Sequence, residues 1–430
     1  LVRLKTKLRG RKRMSAEQAR REWISGWPMM TSCVAGMAAP ILAHYVFGQF
    51  MAPMERDLGW TRTQATMGLS LSLMVSFFTA PVVGRMADVM NVRYFAIAGL
   101  ILTGGAFASF SLATSSVILW VSLWFLHTAC VSLVGPVIWL SVIPTKFEVH
   151  RSFATAVALA GNSLTVAIGP PLAQWLINSY GWRDAYRYLA VIWFGTALVL
   201  TLLFFFDRRP HRAARAARAE TAAQPRQGLE PLLALLKSSN FLKLMAALFG
   251  IMLIESAYLV HLAPAFEDKG FSPLDAAKLV GLSGVAAIIG KLVAGWLFDL
   301  ASFDLVSAGF MAVLACACAM FAPLGDQAVW ATVICLMLGL TIGAMYTIMA
   351  CTVRLLFGSE KFGFVFGVLA SSMAVASALG PLLGGVVHDR FGSYDLVYWM
   401  GIGVAAMGAL ILRSLRRQHL SQTLALADAK

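Results

Sequence analysis

Four titratable side chains stand out as candidates inside long apolar stretches of the chain: His44, His127, Glu255 and Lys291. At the centre of a bilayer-spanning helix a charge costs ~2.5 kcal/mol or more, so each is a functional candidate by default. Lys291 offers a compact point charge with three donors, the chemistry that holds an anion. Glu255 and the two histidines can take up and release protons. Tyr346 and Asn162 add hydrogen-bonding groups that an anion can use. Plainer roles fit the same residues: a structural Lys291–Glu255 ion pair, a protonated Glu255, and imidazoles bonded to backbone carbonyls. The residue types alone leave both sets open.

The elements that position these groups follow from composition. The chain has 430 residues, 59% hydrophobic and 13% charged, with a mean hydropathy of +0.74. A soluble domain carries about 25% charged residues, so this composition excludes one. Apolar runs near or beyond the ~20 residues that cross a bilayer recur along the whole length. They predict an all-α membrane protein with twelve spans, at 27–51, 64–84, 93–113, 117–142, 152–178, 187–206, 241–264, 276–298, 304–323, 328–352, 362–388 and 394–412. His44 falls in the first span, His127 in the fourth, Asn162 in the fifth, Glu255 in the seventh, Lys291 in the eighth and Tyr346 in the tenth. Ser25 onward runs into a full-length span, which predicts no cleavable signal peptide. Whether translation starts at Leu1 or at Met14 stays open. The 6 cysteines lie within or at the ends of spans, without metal-ligand spacing to histidine, and read as small apolar residues. With no nucleophile–base constellation in the chain, no enzyme activity, metal or cofactor is expected.

A shift of 211 residues lays the sequence on itself. Ala52, Pro53, Asp57, Gly59 and Asp88 meet Ala263, Pro264, Asp268, Gly270 and Asp299. Gly169-Pro170 and Gly181 meet Gly380-Pro381 and Gly392. That period is too long for a solenoid unit. In a chain this apolar it predicts two parallel six-helix repeats with a transported solute bound between them. His44 and Glu255 are equivalent under the same shift. The expected organisation is a basic N-terminus (1–26), a first bundle (27–206), a linker (207–240), a second bundle (241–412) and a tail (413–430).

The formal net charge is +14, and its placement decides its meaning. About 27 of the 35 Lys and Arg residues fall at the termini, in the linker and in loops of one side, against about 7 on the other. This positive-inside asymmetry predicts both termini in the cytoplasm, in a cell (inner or plasma) membrane. The basic clusters then serve orientation and anionic lipids, and no nucleic acid is expected. A monomer is expected to function alone. On the other side, Asp57–Thr61 and Lys269–Pro273 read as equivalent turns, with Thr61 and Ser272 capping the helices that follow.

Gly84-Arg85-Met86-Ala87-Asp88 closes the second span, with Arg93 five residues on, and Gly295-Trp296-Leu297-Phe298-Asp299 repeats it in the eighth. Glycine admits a close neighbour, and an aspartate at a helix end caps another helix or pairs with an arginine. The segment resembles the loop motif of the major facilitator superfamily, with Val89 and Asn91 in place of its usual Arg and Gly. Three further pieces are more specific. Lys146-Phe147-Glu148-Val149-His150-Arg151 leads into alternating alanines, Gly161 and Gly169-Pro170. Val260-His261-Leu262-Ala263-Pro264 continues to Gly270-Phe271-Ser272-Pro273, and Gly290-Lys291-Leu292-Val293-Ala294-Gly295 follows. They resemble helices five, seven and eight of the group that contains monocarboxylate transporters and oxalate:formate antiporters. Gly380-Pro381-Leu382-Leu383-Gly384-Gly385 resembles a helix-five motif of drug:proton antiporters but lies in the eleventh span, where packing and bending explain it.

The resemblance implies secondary active transport of a small organic anion, of monocarboxylate or dicarboxylate type, by proton symport or anion exchange. It puts Lys291 at the family's basic helix-eight position, usually Arg, which binds the substrate carboxylate. His44, Glu255, His127, Tyr346 and Asn162 are the expected surrounding groups, and Glu255 and His44 the candidates for proton coupling. Coupling through Lys291 requires Glu255 within several ångströms of it. Gly84, Asp88, Arg93, Gly295 and Asp299 are expected to serve a cytoplasmic gate. Two rivals stand beside this reading: a proton-coupled drug or toxicant efflux antiporter, in which Glu255 serves a cation, and a transporter-like solute sensor that signals through the basic linker.

Overall fold

The computed structural model describes residues 2–72, 91–147, 150–206, 235–358 and 362–428. Among these, the regular elements are helices. Eight described helices are long and apolar enough to cross a membrane, or nine if one bent pair counts as a single span. The bent pair is α1 (Val2–Ala38) and α2 (Leu42–Leu58), whose apolar parts meet at 44°. Pro40 stands at the break, where its ring removes a backbone donor. The helical run therefore extends past 51, the expected end of the first span, and bends near Pro40.

Helix α3 is described over 62–72, and α4 (Val92–Ala108), α5 (Val117–Ser132) and α6 (Pro136–Leu140) follow. Helix α7 (Arg151–Leu189) continues through a π turn at Ala190–Phe194 into α8 (Gly195–Phe204). The apolar tract Phe153–Phe204 is 52 residues long, more than twice what one crossing needs. Gly181 interrupts it with φ 79°, at the turn expected between the fifth and sixth spans. The later helices are α9 (Ser239–Asp268), α10 (Pro273–Leu300), α11 (Phe303–Phe321), α12 (Ala328–Phe357), α13 (Phe362–Phe391) and α14 (Asp395–Asp428).

Local chemistry explains the turns. Gly59, Gly181, Gly270 and Gly392 all have positive φ, between 68° and 96°, where a side chain is strained. They form two pairs under the 211 shift, so the repeat marks equivalent backbone turns as well as equivalent residues. Thr61 accepts from Gln64 N while Gln64 Oε1 accepts from Thr61 N, a reciprocal capping box at the start of α3. Ser272 accepts from Asp275 N at the start of α10.

Two hydrophobic cores fill the structure. One runs from Met29 to Phe205 and takes in Val260 of α9; the other runs from Phe241 to Leu415. They divide the chain into a first and a second half. The halves approach at small residues: a Cβ on Gly48 of α2 would stand 2.6 Å from Val260 O of α9, and one on Gly284 of α10 2.6 Å from Ala167 N of α7. Such contacts need glycine because side chains would hold the helix backbones apart.

Candidate functional site

Lys291 lies on α10 two turns after Gly284, and therefore on the helix face that meets α7. Val285, Ile289, Leu292 and Trp296 form a separate exposed apolar stripe on the same helix. The Lys291 ammonium donates to Ser163 Oγ of α7 at 3.0 Å, and Ser163 is buried. The contact crosses from the second half to the first. Among the described residues no carboxylate pairs with Lys291, so its charge is met by a neutral hydroxyl. Asn162, one residue before Ser163, has a buried Oδ1 without a hydrogen-bond partner. Gly343 of α12 packs against the Lys291 backbone, and Tyr346 lies one turn farther along α12.

Glu255 is buried on α9, and its Oε1 has no hydrogen-bond partner. It lies within electrostatic reach of Tyr45 on α2, Tyr258 on α9 and Tyr346 on α12. These phenols come from both halves, and among the described residues Glu255 makes no ion pair with Lys291. Among the described residues the alternative of a structural Lys291–Glu255 ion pair is therefore not met. Tyr346 is within electrostatic reach of Glu255 and stands one turn from the Gly343–Lys291 contact.

His44 and His127 go elsewhere. Although His44 is the shift partner of Glu255, its ring packs 6.0 Å from that of Trp124. His127 packs in the same aromatic box, 5.2 Å from Phe110 and 5.9 Å from Trp124 between ring centres. The two imidazoles are within electrostatic reach of each other, and all four ring nitrogens are buried without partners. The expected carbonyl bonds are absent from both.

A second polar cluster joins the halves at the turn Asp57–Thr61. The Arg62 guanidinium, at the start of α3, bonds Asp268 at the end of α9 at 3.1 and 3.3 Å and the Tyr394 hydroxyl at 2.6 Å. Glu55 Oε1 forms an ion pair with its Nε at 3.2 Å, and His388 Nε2 lies 3.2 Å from Asp268. The carboxylate of Asp389, at the end of α13, accepts from the backbone N–H groups of Arg62 and Thr63 at 3.1 and 2.9 Å. A carboxylate there complements the positive end of the α3 dipole from across the interface. His261 Nε2 faces Pro381 O at 2.8 Å, so it carries the proton, and Nδ1 accepts from Tyr394 Oη at 2.8 Å.

Of the expected gate residues, Gly84 and Asp88 lie outside the described residues, as does most of the 207–240 linker. Arg93 donates to Leu202 O at 2.8 Å and lies over the Phe206 ring at 3.9 Å. Gly295 and Asp299 fall in the last turns of α10. Ser163, Tyr45 and the Arg62 cluster were not foreseen from the sequence. Tyr45 sits beside His44, and Asp268 is the shift partner of Asp57; those were the available signals. Nothing in the spacing singles out Ser163.

Comparison with known proteins defines the class. Residues 29–356 match the family model of the Major Facilitator Superfamily, and the chain belongs to that family of transport proteins. It is similar to monocarboxylate transporter 13 of Bos taurus, 25% identical over 373 residues that cover 86% of this chain and 83% of the relative. It is 24% identical to monocarboxylate transporter 10 of Danio rerio over 86% of this chain and 72% of the relative. Monocarboxylate transporter 11 of Mus musculus matches at 24% identity over 89% and 83%. The crystal structure of a mutant of the nucleoside transporter NupG superposes with a TM-score of 0.71, covering 90% of this chain and 99% of that one. At 10% identity that likeness speaks for the fold alone.

Proposed function

We propose that this chain moves a small organic anion across a cell membrane by alternating access. The carboxylate binds Lys291, displacing the Ser163 hydroxyl or sharing the ammonium with it. The observation that carries the reading is an ammonium at the junction of the halves with no carboxylate partner among the described residues. A cation at this junction answered by one neutral oxygen is a site still open to an anion. The similarity to monocarboxylate transporters supports the same class of substrate, monocarboxylate or dicarboxylate. Tyr346 and Asn162 supply hydrogen bonds beside Lys291, and Glu255, within electrostatic reach of Tyr45, Tyr258 and Tyr346, takes the proton in symport.

The architecture belongs to the same proposal. Twelve spans form two six-helix repeats, bounded at 27–206 and 241–412, with the linker 207–240 and both termini in the cytoplasm. The Arg62 cluster then faces outward, and the described arrangement is closed on that side. The basic segments lie against anionic lipids, and one chain suffices for transport. Glu255 among three phenols also favours a second reading, proton-coupled efflux of a cation, because phenol rings and a carboxylate suit a cationic guest. Counterflow in proteoliposomes separates the two. Trans-stimulated uptake of a short carboxylate supports the anion reading; exchange confined to lipophilic cations rejects it.

A further inference from the structure

Under the 211 shift the two halves carry the same aspartate at the same turn, but they satisfy it differently. Asp57, at the end of α2, bonds Arg183, and Trp182 Nε1 donates to it at 3.3 Å. All three residues belong to the first half, so this pair ties α2 to the turn that follows Gly181. The shift partner of Asp57 is Asp268, and the shift partner of Arg183 is Tyr394. Tyrosine cannot neutralise a carboxylate, so the second half lacks its own arginine at this place. Asp268 has the titratable His388 of its own half at 3.2 Å, but it takes its permanent cation from Arg62 of the first half, and the same guanidinium bonds Tyr394. The shift partner of Arg62 is Pro273, so no reciprocal arginine reaches back to Asp57.

We propose that Arg62 is a borrowed arginine: an ion pair internal to the first repeat has become, in the second, the latch that holds the two halves together at this face. The geometry favours a latch over a passive surface pair. Arg62 is only 11% exposed, its guanidinium is bidentate on Asp268, and its backbone is capped by Asp389 from a third helix. Tyr394 passes the contact inward to His261 and so to the Pro381 carbonyl of α13. Opening this face must break together the contacts that cross between the halves, those of Arg62 with Asp268, Tyr394 and Asp389 and that of Thr63 with Asp389. Those of Asp57 and Arg183 travel with one half and survive. The inference rests on alternating access in this family and on no particular substrate.

The test is a distance measurement on the full chain in lipid nanodiscs, without substrate. Spin labels replace Ser115, whose carbonyl accepts from Trp60 beside the Asp57 turn, and Asp326, which neighbours Gly270, in a background without the native cysteines. The parent should show one short population. Tyr394→Arg gives Asp268 a permanent cation within its own half and frees Arg62, so a second, longer population should appear. Arg62→Gln should produce the same population, and it carries the test if the Tyr394 variant does not fold. Asp57→Asn combined with Arg183→Gln should leave the distribution at the parent distance. An unchanged distribution in Arg62→Gln, or an equal shift in the Asp57/Arg183 variant, overturns the latch. Because no substrate is present, that failure leaves the anion reading untouched.

Discussion

Lys291 Nζ and Ser163 Oγ are 3.0 Å apart across the junction of the two halves, α10 to α7, an ammonium on a neutral hydroxyl. Replacing the hydroxyl by a carboxylate supplies an internal anion. Ser163→Asp should satisfy Lys291 permanently, leave the melting temperature unchanged or higher, and abolish uptake of short carboxylates. Thermal stability and counterflow on the same preparation check this. Normal uptake by the Asp variant would separate Lys291 from the substrate. Ser163→Ala removes only a hydrogen bond to a charged group, worth about 1.5–3 kcal/mol at full burial and less at this partly open site. It should change KM by several-fold and spare Vmax.

Glu255 and His44 occupy equivalent positions and unlike surroundings, so their variants should diverge. Glu255→Gln should lose stimulation by an inward proton gradient while retaining anion exchange, because its neighbours from α2, α9 and α12 span both halves. His44→Gln should keep gradient stimulation, since its ring lies with His127 and Trp124 in the first core. Uptake with and without a pH gradient decides it. Stimulation that persists in both variants points to exchange as the mechanism.

Gly284 and Ala167 N set the closeness of α10 to α7, with 2.6 Å between a built Cβ and the backbone nitrogen. Gly284→Leu cannot fit without separating those helices. Overpacking of this kind costs about 1–3 kcal/mol. The variant should melt earlier and transport poorly, whereas Gly295→Ala, with nothing within 4 Å of its Cβ, should behave as the parent. A thermal melt in detergent with matched uptake measures both.

The parts of this fold that depend on spacing were legible in the sequence. Gly181 and Gly392 marked turns because only glycine adopts their positive φ without strain, and Thr61 and Ser272 marked helix starts because their hydroxyls cap backbone donors. Lys291 stood out because a charge is costly inside an apolar run. Its partner was invisible, since a serine in a helix is ordinary and its meeting with Lys291 depends on how α7 lies against α10. The placing of His44 was hidden for the same reason. Symmetry put it level with Glu255, but its ring packs against Trp124 of α5, within reach of His127. The Arg62 cluster required knowing that Asp268 has a tyrosine where Asp57 has an arginine, and that contrast gains meaning only once the turns meet in space.

The most direct measurement is counterflow of a short radiolabelled carboxylate into proteoliposomes bearing Lys291→Ala and Lys291→Arg. Losing a charge-assisted contact of about 1.5–3 kcal/mol corresponds to roughly ten- to a hundred-fold in affinity. The Ala variant should fold, insert and show no saturable uptake, and the Arg variant should retain part of it because the point charge is kept. Parent-like saturable uptake by Lys291→Ala would contradict an anion site at Lys291.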